Sequence, residues 1–240
     1  MQPHFAGFPA AGIDFLKSLK RNNRREWFLP RKENFEQNVK APMHELVGHL
    51  NAAFARFAPE HVMEPNKAVY RFYRDTRFSE DKSPYKDRIA ATFQRRGIGR
   101  HEGAGYYFHV SPKEVAVGGG VYLPLPESLQ LMRARIAAEP REFRRLISAA
   151  PLKKLFGEMQ GDQLARVPKG YPADHPAADL LRYKQFLFFV ELPVSLAVTP
   201  ELVDELIKRF RAMAKFIDFL NEPLLASRKT AQRDAALLGL

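Results

Sequence analysis

The feature that most constrains this chain is a change of hydrophobic period in its middle. Ile89, Ala91 and Phe93 alternate with Arg88, Ala90 and Thr92, and Tyr106, Phe108 and Val110 alternate with Tyr107 and His109. A period of two belongs to a pleated strand with one face against a core. The glycine-rich stretch RRGIGRHEGAG separates these runs, and Pro112-Lys113 is a tight turn into EVAVGGG. Ahead of them, Ala68 to Tyr73 is aromatic and β-branched, as strands are. The spacing therefore predicts a meander of about four antiparallel strands. A later strand is expected at KQFLFFVELP.

On both sides the period is helical. Ile13, Leu16 and Leu19 share a face that stops at Asn22-Asn23, and Phe35 to Phe57 steps by three or four with Pro42 as a kink or restart. Pro126 and Pro140 sit at first helical positions, with Leu129, Met132 and Ile136 behind the former. Thr199-Pro200-Glu201 opens a last helix that Asn221 and Pro223 are expected to end. The expected fold is α+β: one domain over 1–240, a mainly antiparallel sheet flanked by N-terminal and C-terminal helices, with 222–240 as a tail or peripheral helix.

The 240 residues carry a net charge of +11, which favours acidic partners. Cysteine is absent, which excludes disulfides, a thiol nucleophile, thiolate zinc and iron–sulfur clusters, and fits a reducing compartment. MQPHFAGFPAAGIDFLKSLK lacks a basic region followed by an apolar stretch. No segment approaches the ~18 apolar residues of a membrane span. A cytoplasmic location with no membrane partner is the expectation.

Charge concentrates in RFYRDTRFSEDKSPYKDR, Arg71 to Arg88. Between Pro65 and Arg100 there are ten Lys and Arg against four Asp and Glu, over half of the net charge. On a strand, Arg71 and Tyr73 point to one side and Phe72 and Arg74 to the other, so one arginine is expected to face the core side and to need an acid, for which Asp75 is nearest in sequence. The turn returns Lys82, Tyr85 and Lys86 toward the strand ends. Arginine forks and lysine ammonium groups suit phosphate and carboxylate oxygens.

Four blocks together resemble the bacterial and fungal domain-of-unknown-function family 2461: FLKSLKRNNRREWF (Phe15 to Phe28), RFYRDTRFSEDKSPYK (Arg71 to Lys86), GGGVYLP (Gly118 to Pro124), and RVPKGYPADHP (Arg166 to Pro176) followed by Lys184. The resemblance spans roughly Phe5 to Leu220. It implies no reaction and assigns no role to any residue.

In the fourth block, Lys169-Gly170 could contact a phosphate and Asp174-His175 could exchange a proton, or Asp174 caps the next helix. The three glycines follow a strand without GxGxxG or P-loop spacing, so a bulge at a strand end, or a close approach by a ligand or another backbone, accounts for them. The seven histidines form no HxxxH or HExxH pattern, and neither a metal nor a cofactor is predicted. Ser79 and Ser83 lack a GxSxG setting, and Trp27 and Phe28 read as anchors for the first helices.

Two functions fit these residues. One is a basic pocket for a small phosphate- or carboxylate-bearing ligand, held by Arg71, Arg74, Arg77, Lys82, Lys86, Lys169 and Lys184, with His175, Asp174 or Tyr85 for proton transfer. It requires the second and fourth blocks to meet. The other is nucleic-acid binding through a basic aromatic surface. A non-catalytic structural or partner-binding role also fits. Whether the chain is an enzyme, its oligomeric state and its reaction are not written in these residues.

Overall fold

A computed structural model describes residues 4–99 and 102–237. The fold is α+β, with one four-stranded antiparallel sheet in the order β1-β2-β3-β4: Ile89–Gln94, Gly105–Val110, Glu114–Val121 and Phe186–Pro193. Arg100 and His101, in the expected glycine-rich turn, lie outside the described residues. Two compact units divide the chain: Met1–Phe93 with Tyr107–Val117 and Val190–Lys208, and Gln94–Tyr106 with Gly118–Phe189 and Arg209–Leu240.

In the first unit, α1 (Ala10–Arg21) ends at Asn22, and α2 (Arg25–Phe28) and α3 (Lys32–Phe35) are single turns. A π-turn over Glu36–Lys40 leads into α4 (Ala41–Phe57). That turn is the expected irregularity at Pro42, which has no N–H for the carbonyl four residues back. At Gly12 of α1, an added Cβ would lie 2.1 Å from the Asn38 carbonyl oxygen, so α1 meets the π-turn with bare backbone. Phe15, Phe28, Phe35, Phe72 and Tyr85 form an aromatic core, with Phe28 stacked on Tyr85 at 4.1 Å.

The expected strand at Ala68 to Tyr73 is not formed as such. Ala68 closes the short α5 (Pro65–Ala68), and Val69 and Tyr73 make only isolated bridges, to Ala91 and Tyr85. Between these bridges one side advances four residues and the other six, so Asp87 and Arg88 are surplus to the ladder and bend out of it. Pro84, with no N–H to donate, limits the pairing further. The local alternation still holds, since Phe72 is buried and Arg71 and Tyr73 are exposed.

In the second unit, α6 (Pro126–Ala138) and α7 (Pro140–Ile147) open at their prolines, α8 (Ala150–Phe156) follows, and α9 (Ala178–Leu181) is one turn. Two of the three glycines of β3, Gly118 and Gly120, sit against backbone. A Cβ would meet the Phe188 carbonyl oxygen at 2.6 Å from Gly118 and that of Phe186 at 2.0 Å from Gly120. Close approach of β4, one of the two expected reasons, is the one realised.

The last helix, α10 (Glu201–Leu237), starts where Thr199-Pro200-Glu201 places it but does not end at Asn221 or Pro223. The expected tail is a continuation of this helix up to Leu237; residues 238–240 lie outside the described residues. Asn221 is fully buried and spends its side chain on Ala104, accepting from the Ala104 N–H at 2.8 Å and donating to its carbonyl at 3.0 Å. Leu224 is buried beyond the proline, so packing offsets the single missing N–H. Among the described residues no helix is long and apolar enough to cross a membrane.

Replacing Asn221 by Ala strands a buried N–H and a buried carbonyl. The expected loss is roughly 2 kcal/mol of folding stability, read as a lower urea midpoint at constant slope. A midpoint equal to wild type would show that Ala104 needs no such partner.

Candidate functional site

The charged stretch folds back on itself. The Arg74 N–H donates to the Pro84 carbonyl and the Lys86 N–H to that of Phe72, both at 2.9 Å, and the loop between is tied by its own charges. Asp75 takes two bonds from the Arg77 guanidinium, at 3.0 and 2.8 Å. Those bonds hold the Asp75 carboxyl down at about 2. Arg74 pairs with Asp81, and Asp81 also accepts the Ser83 N–H at 2.9 Å. Lys82 donates to the Thr76 carbonyl at 3.0 Å. The arginine on the core side is Arg74, half-buried beside Phe72, and its acid is Asp81 and not Asp75. Asp75 cannot serve because it is two residues from Arg77 and already forked to it.

A cavity of about 420 Å³ lies where the return segment passes the end of α1. Asn23 positions this segment. Its side-chain amide donates to the Tyr85 carbonyl at 2.9 Å and accepts the Tyr85 N–H at 3.1 Å, acting as a one-residue strand neighbour. The Tyr85 ring is buried against Phe28, and that burial, more than the neighbouring Tyr73, pushes its hydroxyl above the ordinary range. The charged wall is Lys20, Arg74, Lys86 and Arg88 with Asp81 and Asp87. Lys20 bridges to Asp87 at 3.1 Å.

Arg88 leads from this wall to a polar chain. Burial pushes the Tyr107 hydroxyl above its ordinary range, and the Arg88 charge opposes this. Tyr107 lies 3.0 Å from His109 Nδ1, and His109 Nε2 lies 3.2 Å from Glu114 Oε1. The carboxylate can only accept, so Nε2 carries the proton and Nδ1 accepts from Tyr107. Ser111 Oγ donates to the same Glu114 oxygen at 2.7 Å. Burial, the largest influence, holds His109 below its ordinary value; the Glu114 hydrogen bond opposes this and the Arg88 charge adds to it. Burial alone would raise Glu114, but the bonds from Ser111 and His109 outweigh it and leave the carboxyl low.

Of the residues singled out in the sequence, Arg74, Tyr85 and Lys86 line this cavity. Arg71 and Arg77 are exposed on the same loop, and Lys82 is turned to Thr76. Lys169, Asp174, His175 and Lys184 belong to the second unit. There, Asp174 does not cap α9, whose first residue is Ala178. His175 Nδ1 instead accepts the Ala177 N–H at 3.0 Å. Lys20, Asn23, Arg88, Tyr107 and Glu114 escaped the sequence because their roles rest on contacts across the fold. The one local signal was Arg88, at the end of the charged stretch. Among the described residues no His, Asp and Glu cluster is arranged to hold a metal.

Residues 11–219 match the family described as a conserved hypothetical protein, DUF2461. No curated protein and no solved structure matches the chain.

His109 makes stability depend on pH. Its folded pKa is lowered, so between that value and ~6.5 the unfolded chain binds more protons than the folded one, and stability falls as pH falls through this window. Urea titrations from pH 8 to pH 5.5 are expected to show wild type losing more stability than His109→Gln. A constant difference between the two across that range would refute the assignment.

Proposed function

The chain belongs to the DUF2461 family, whose name carries no reaction, and we propose from its own residues that the first unit's cavity binds a small oxyanion, a phosphate or a carboxylate. The observation that carries this is the charge of the wall. Four cations, Lys20, Arg74, Lys86 and Arg88, stand against two acids, Asp81 and Asp87. A concave surface with a positive surplus concentrates anions, and about 420 Å³ falls within the range of small-molecule sites. Arg88 offers a planar fork and Lys86 a point charge. The proposed ligand set is drawn from these four cations, with Lys86 and Arg88 on the return segment as the pair to test. Arg71, Arg77 and Lys82 serve the loop in this reading. No cofactor is invoked. A cytosolic location accompanies it, supported by the absence of cysteine.

One observation favours nucleic acid as a second reading. Phe78 is 96% exposed at the tip of the charged loop, with the Arg77 guanidinium 5.8 Å from its ring. An exposed ring beside cations is what a splayed base stacks on.

Calorimetric titration with inorganic phosphate and with citrate separates the two. Lys86→Ala with Arg88→Ala is expected to weaken anion binding at least ~10-fold, the loss of two charge-assisted contacts, while Phe78→Ala leaves it unchanged. Equal affinity in the double variant would sink the cavity reading. Binding of a single-stranded oligonucleotide that falls steeply with salt and is lost in Phe78→Ala would replace it.

A further inference from the structure

The second unit buries a charge without an opposite charge. Arg133 of α6 is only 8% exposed. One of its terminal nitrogens donates to the Tyr183 carbonyl at 2.8 Å, and its Nε–H is buried and meets no acceptor. Three more exposed arginines of this unit find carboxylates. Arg144 forks onto Asp179 at 3.0 and 2.6 Å, Arg135 meets Glu222 at 2.9 Å, and Arg145 meets Glu142 at 2.7 Å. A buried guanidinium facing a carbonyl dipole keeps its full charge uncompensated, and that is costly unless something negative joins it.

Its surroundings are built with care. The backbone on both sides of Tyr183 is fixed by pairing with the segment before it: the Leu164 N–H donates to the Arg182 carbonyl and the Lys184 N–H to the Asp162 carbonyl, both at 2.8 Å, and Arg182 Nε donates to the Leu164 carbonyl at 2.7 Å. Tyr171 is the ionisable group whose field reaches Arg133. The Tyr171 ring stands edge-on to that of His175 at 6.1 Å. Because His175 Nδ1 accepts from the Ala177 N–H, the neutral ring carries its proton on Nε2. Arg144 holds the end of this segment through the Pro176 carbonyl at 3.0 Å. The stretch Arg166 to Pro176, which the first-unit cavity does not use, is thus organised around Tyr171 and His175.

We propose that Arg133 anchors an oxyanion site in the second unit. A carboxylate or phosphate oxygen accepts from the Arg133 Nε–H, with the Tyr171 hydroxyl as second donor and His175 behind it. This site does not depend on the first-unit cavity.

The test is nitrogen NMR on the full chain, observing the Arg133 Nε–H during separate titrations with acetate and with inorganic phosphate. A saturable shift is expected, and the anion that saturates at lower concentration names the class. Arg133→Met is expected to weaken the corresponding calorimetric component at least tenfold and to melt no lower than wild type. Lys86→Ala with Arg88→Ala keeps that component, which separates this site from the first. An Nε–H resonance that neither anion moves overturns the proposal. So does Arg133→Met binding both anions with wild-type affinity. The resonance is read on the wild-type chain, so a variant that failed to fold would leave the decision intact.

Discussion

A single side-chain amide holds the return segment of the charged loop in place. Asn23 meets both backbone groups of Tyr85, and Phe28, five residues further on, stacks on the Tyr85 ring. The segment needs this help because Pro84 donates nothing to a ladder and Asp87 and Arg88 bulge out of it. Once Tyr85 is fixed, Lys86, Asp87 and Arg88 follow at set positions. Asp87 then reaches Lys20, and the Arg88 charge acts on Tyr107. The part of the cavity wall carried by Lys86, Asp87 and Arg88 follows from that one contact, while the Tyr107–His109–Glu114 chain is held by its own bonds on β2 and β3.

The cations of this protein divide by the acids within reach. Arg77 has Asp75 two residues away and is consumed by the loop. Arg74 has Asp81 and helps to close the same loop. Such exposed pairs add little stability, and their work is to hold a conformation. Arg133 is the opposite case, buried with a carbonyl and no carboxylate. Exposure and pairing together, more than charge count, separate cations that shape the backbone from one buried without a carboxylate.

Where periodicity decided the outcome, the sequence was legible. The strands β1 and β2 and the helix starts at Pro126, Pro140 and Glu201 lie where they were read, although both faces of β1 and β2 are buried and not one face alone. Failures came where a distant partner overrode a local rule. Asn221 and Pro223 look like a helix end, yet Asn221 is claimed by Ala104, 117 residues away, and the helix continues. Ala68 to Tyr73 has strand composition, but its partner segment carries a bulge and a proline, so only two bridges form. Asp174 has the residue type of a cap, while the helix begins at Ala178 and His175 meets the nearby N–H.

By itself the sequence determined the α+β class, the surplus of positive charge between Pro65 and Arg100, and the exclusion of thiol chemistry. These follow from residue type and near-neighbour spacing, which need no knowledge of the fold. Only the tertiary structure decided which acid neutralises which base. It turned Arg74 to Asp81, brought the Arg88 charge to Tyr107, and buried Arg133 against a carbonyl. Charges act through space, and the distances that set their strength are created only when the chain closes.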